Sequence, residues 1–130
     1  MKKIIKNIGI IISGIIIGMI INMGLIIIGE RIFPLTDNFD AMNAINWDIK
    51  YFIFPFLAHS IGTLIGSFAV SRISRNSNIV LPILIGVWFL FGGIIMAAIL
   101  PAPIWFILID IIICYIPMSF LGWKISKLSK

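Results

Sequence analysis

Four apolar runs, each long enough to cross a bilayer as a helix, constrain this chain more than any other feature. At a rise of about 1.5 Å per residue, about 20 residues cross the roughly 30 Å of hydrocarbon. Residues 8–29 reach that length with only Ser13, Asn22 and glycines among the aliphatic side chains. Residues 51–70 reach it as well, but carry His59, Ser60, Thr63 and Ser67, which makes them the most polar of the set. A third run, 79–100, is parted from a fourth, 104–121, by Pro101, Ala102 and Pro103. Each proline removes a backbone donor and disfavours helix in the residue before it, so the two runs read as a tight hairpin. The expected fold is all-α: a polytopic membrane protein with four transmembrane helices in one domain, residues 1–130, with an outer loop at 30–50.

A soluble chain that is 61% hydrophobic and 12% charged could not cover its own apolar surface, whereas in lipid no cover is needed. The formal charge of +5 does not indicate nucleic acid, because the basic residues lie between apolar runs and form no stripe interleaved with aromatics. Cys114 is the only cysteine, which excludes a disulfide framework or thiolate cluster within one chain. Lys2, Lys3 and Lys6 ahead of an apolar stretch look like a secretory signal, but the stretch continues to Ile28 without a small-residue cleavage site and reads as a retained anchor.

The distribution of Lys and Arg sets the expected orientation. Lys2, Lys3 and Lys6, Arg72 and Arg75, and Lys124, Lys127 and Lys130 all fall on one side, against Arg31 and Lys50 on the other. The positive-inside rule then puts both termini in the cytoplasm, with 30–50 outside. Trp47, Trp105 and Trp123 lie near run ends, where an indole prefers the headgroup region, while Trp88 is mid-span. Within the outer loop, Phe39, Met42, Ile45 and Ile49 form one side of a short interfacial helix that Asp37 or Asp40 would cap. Those acids read as caps and solvated charges, since EF-hand spacing is absent.

Small residues gather on helix faces. Gly14 and Gly18 form one GxxxG pair and Gly62 and Gly66 another, while Pro82, Gly86, Gly93 and Ala97 align on the third run. In lipid, where helices gain nothing from hiding apolar surface, such faces let backbones approach closely, so they read as packing surfaces. Pro55, His59, Gly62, Thr63 and Gly66 share one side of the second run, which should face protein, and Leu57, Ile61, Leu64 and Phe68 share the other. Pro117 should kink the fourth run by freeing the carbonyl of Ile113.

Three side chains stand out because hydrocarbon penalises them: Asn22, His59 and Asp110. By helical rise they lie about 10 Å, about 12 to 14 Å and about 9 Å below the outer ends of their spans, in one layer. Glu30 lies a turn or two above. An ionised aspartate facing lipid costs about 2.5 to 3.5 kcal/mol, so Asp110 should point inward or pair, with His59 as its obvious partner. One reading is a proton-responsive or cation-contacting site of His59 and Asp110, supported by Asn22, Thr63 and Glu30. The other is a hydrogen bond that only fixes helix register. A lone histidine does not suggest a metal site, and no cofactor motif is present. Enzyme motifs are absent too, and Ser60 points about 100° away from His59 on the helix.

The segment AHSIGTLIG at 58–66, FGG at 91–93, PAPIWFILID at 101–110 and the following YIP and LG resemble a group of small four-span bacterial membrane proteins of unassigned function. That resemblance aligns an acidic residue ending the first span with Glu30, a histidine of the second with His59 and an aspartate of the fourth with Asp110. Small-residue faces and short loops favour a non-enzymatic accessory subunit, as a homo-oligomer or within a larger membrane complex. The alternative is a small proton-coupled or cation transporter. Orientation is checked by labelling intact cells with a membrane-impermeant maleimide: Asn46→Cys should react at once, and Lys127→Cys only after permeabilisation.

Overall fold

The computed structural model describes residues 1–35, 40–75 and 78–129, so the candidate cap Asp37 and the loop residue Phe39 lie outside the described residues. The described residues form helices α1 (Lys2–Ile32), α2 (Lys50–Ser74), α3 (Val80–Ile99), α4 (Ile104–Ile113) and α5 (Ile116–Leu128), with a short 3₁₀ helix at Ala41–Asn46. Taking α4 and α5 together as one span, four helices are long and apolar enough to cross a membrane, compatible with a small integral membrane protein.

The helices end where local chemistry ends them and not at the edges of the apolar runs. Nothing in α1 breaks the helix until Pro34, which forces Phe33 out of helical geometry to φ −122°, ψ 75°; the helix therefore takes in the basic start and Glu30 and Arg31. α2 runs beyond residue 70 to Ser74 and stops at Arg75, the one described non-glycine residue with positive φ, at 53°. In the outer loop Asp40 caps the 3₁₀ helix by accepting a hydrogen bond from the Met42 amide at 2.9 Å. Met42, Ile45 and Ile49 stay exposed while Ala44 turns inward.

The fourth span is two helices. Pro117 sits in the first turn of α5, where its missing N–H leaves the Ile113 carbonyl without a helical donor, and Tyr115 adopts φ −113°, ψ −80° between the two pieces.

α2 is the central helix. Its Gly62 and Gly66 meet Gly18 and Gly14 of α1 in antiparallel register: a Cβ added at Gly66 would lie 2.8 Å from the Gly14 carbonyl, and one at Gly62 would lie 2.9 Å from that of Gly18. Further along the same seam Ile10, Val70 and Ile85 form a buried apolar cluster that joins α1, α2 and α3. α5 closes the opposite side. A Cβ at Gly122 would run into the Leu64 carbonyl, and the buried Ser67 hydroxyl donates to the Ser119 carbonyl at 2.6 Å. α3 packs on the α4–α5 unit through Gly86, against the Ser119 side chain, and Gly93, against the Tyr115 ring. Ala97 is only half-buried.

Because α5 covers it, the second side of α2 is not a bare face: Leu57, Ile61, Leu64 and Phe68 are all at least half-buried. The helix with most small and polar residues is thus innermost, as expected where packing and hydrogen bonds hold helices together. Gly66→Ala should destabilise the fold by about 1 to 3 kcal/mol, as overpacking against backbone does. Gly24→Ala, where an added Cβ meets nothing within 4 Å, should be neutral or stabilising; detergent unfolding of the two variants checks the difference.

Candidate functional site

Asp110 lies on the second turn of α4 and is buried, so its carboxylate needs partners. It has two. His59 of α2 places Nδ1 2.7 Å from Oδ1, and the Tyr115 hydroxyl donates to Oδ2 at 2.8 Å. The same hydroxyl lies 3.3 Å from His59 Nδ1, and the two rings stack with centroids 6.0 Å apart. With Asp110 ionised, the proton on His59 Nδ1 is the donor to Oδ1. Nε2 then makes no hydrogen bond among the described residues, and the His59 side chain keeps 27% of its surface exposed.

Tyr115 reaches Asp110 only because the span is broken between them. On an unbroken helix, residues five apart point about 140° away from each other. The turn at Cys114 and Tyr115 brings the phenol back onto the carboxylate, and sequence periodicity therefore gave no signal for it. The Cys114 thiol is buried and directed at the Phe56 carbonyl, 3.6 Å away.

The cluster forms the floor of a cavity of about 620 Å³ between α1, α2, α3 and α4, within the range of small-molecule sites. Asn22 lines its wall from α1, and Phe52, Phe89 and Phe106 are among the aromatic side chains around it. Phe52 and Phe106 pack with centroids 4.8 Å apart, and Trp47 lies 6.1 Å from Phe52. No Lys or Arg among the described residues lines the cavity.

The five site candidates therefore separate. His59 and Asp110 touch, and Asn22 faces the same space. Thr63 does not line the cavity: it is buried and its hydroxyl donates to the His59 carbonyl at 2.7 Å, one turn back along α2. Glu30 is exposed and lines a smaller groove of about 310 Å³ at the loop end of the molecule, with Lys50 and Phe54. That groove shares Ile26, Trp47, Tyr51, Pro55 and Leu100 with the larger cavity.

The chain matches no protein-family model, no curated protein and no solved structure. Its site has to be read from its own geometry. A double-mutant cycle of His59→Ala with Asp110→Ala, followed by unfolding in detergent, should return a coupling of about 0.5 to 3 kcal/mol, as contacting polar groups do. The same cycle with Glu30→Ala in place of His59→Ala should return none.

Proposed function

We propose that this chain is a small non-enzymatic carrier of protons or cations in a bacterial inner membrane, with both termini cytoplasmic and His59 and Asp110 as its exchange site. One observation carries the reading: the buried carboxylate, its imidazole partner and the Tyr115 phenol face a cavity inside the membrane-crossing helices. A hydrogen bond that served only to fix helix register would be enclosed by packing. Here the imidazole has an uncommitted nitrogen and the acid borders open space, the arrangement that proton exchange requires.

Small-residue faces argue less for a partner subunit once their contacts are known. Gly14, Gly18, Gly62, Gly66, Gly86 and Gly93 each meet another part of the same chain. The accessory-subunit reading, including a homo-oligomer, draws instead on the outer side of α3. Trp88 and Phe91 are exposed there, at mid-span, where an indole N–H finds neither headgroups nor water.

In proteoliposomes under a pH or cation gradient, the wild-type chain should dissipate the gradient. His59→Ala and Asp110→Asn should fall to the rate of empty vesicles. Equal flux in both variants would remove this site from the mechanism, and no flux in the wild type would favour the accessory role.

A further inference from the structure

The cavity floor carries the carboxylate of Asp110, and no basic side chain besides His59 lines the walls among the described residues. With the imidazole neutral, the site has one uncompensated negative charge in a low-dielectric setting, where charge attraction is least screened. Above that floor stands an aromatic group in mutual contact: Trp47 lies 6.1 Å from both Tyr51 and Phe52, and Phe52 lies 4.8 Å from Phe106. Aromatic faces attract cations, most strongly where water is excluded.

The cavity also has an open side. α1 and α3 meet at the end away from the loop through the cluster of Ile10 and Ile85, with Ile11, Ile15, Leu81 and Phe89 packed on it. Toward the loop end both helices line the cavity, and among its lining residues Met19 and Met23 of α1 and Gly92 and Met96 of α3 are exposed, which places its mouth between the two helices. That surface faces hydrocarbon when the helices span a bilayer. Methionine is unbranched and adapts its shape to what passes.

We propose that the cavity takes a hydrophobic monocation, an amine or onium ion with bulky apolar groups, admitted sideways from the bilayer between α1 and α3. The cation settles with its charge toward Asp110 and its apolar groups against the aromatic wall. Tyr115 also faces Asp110, and α1 and α3 bring only uncharged side chains to the cavity. The inference rests on the carrier reading only in taking this cavity as the ligand site.

Equilibrium binding of tetraphenylphosphonium to the full chain in nanodiscs tests it, with tetraphenylborate as a probe of the same shape and opposite charge. The phosphonium should bind saturably; the borate should not bind. Asp110→Asn should weaken the phosphonium by at least about tenfold, the loss expected when a desolvated charge pair is removed. Gly92→Trp, at a position where an added Cβ meets nothing within 4 Å, should block the mouth without disturbing the fold and abolish binding. Equal binding of both probes, or an affinity unchanged in Asp110→Asn or Gly92→Trp, would reduce the cavity to a place where any apolar molecule partitions and overturn the proposal. Gradient dissipation without phosphonium binding would overturn it while leaving the carrier reading intact. Saturable, charge-selective binding without flux would support it and remove the carrier reading.

Discussion

The contact between the backbones of α1 and α2 fixes where everything else can lie. At Gly14 with Gly66 and Gly18 with Gly62 there is no room for a Cβ on either helix. Backbone meets backbone at both points, and the side chains of Val70 and Phe89 close on Gly14 and Gly18. Beyond this seam, with α1 on one side of α2 and α5 on the other, the central helix is committed to protein contact around most of its circumference. His59 is brought to a fixed position between helices in this way, by a glycine seam on its own helix and on α1. Dispersion and close packing do this work because hydrocarbon solvent gives two apolar helices no reason to associate.

A second constraint comes from Asp110. A buried carboxylate must find donors, and two come from different directions: an imidazole across the bundle and a phenol from its own chain five residues on. The latter depends on Pro117, which interrupts the helix beyond Ile113. A proline outside the hydrogen-bonded cluster thus determines its membership. The break has a further effect on packing, since Tyr115 also fills the space left by Gly93 of α3. One turn of irregular backbone couples the site to the α3 contact.

What the sequence made legible follows the size of the penalties involved. The four helices are readable because runs of some twenty aliphatic residues, long and apolar enough to cross a membrane, stand out from everything between them. Asp110 and His59 are readable because hydrocarbon makes each conspicuous. The helix limits are less so: apolar runs mark the stretches able to cross a membrane, whereas Pro34 and Arg75 mark where the helices stop. Tyr115 gives no signal on an unbroken helix and joins the site only through the break that Pro117 makes. Thr63 and Glu30 match the site in height or helical face alone. A hydroxyl that bonds its own helix and an acid at an exposed helix end satisfy such criteria without entering the cavity.

The central burial of α2 bears on how a chain of this kind changes over evolutionary time. On the outward sides of α1 and α3, away from the cavity residues Met19, Met23 and Met96 and from Trp88 and Phe91, one aliphatic side chain can replace another without removing a packing contact within the chain. Substitutions there leave the architecture in place. The positions most constrained by packing and hydrogen bonding are scattered singly: glycines a turn apart along one seam, a histidine, an aspartate, a tyrosine and one proline. Two descendants of such a chain would keep the same interior while retaining few consecutive residues in common, so kinship would survive as a spacing of isolated residues more than as a readable stretch of text.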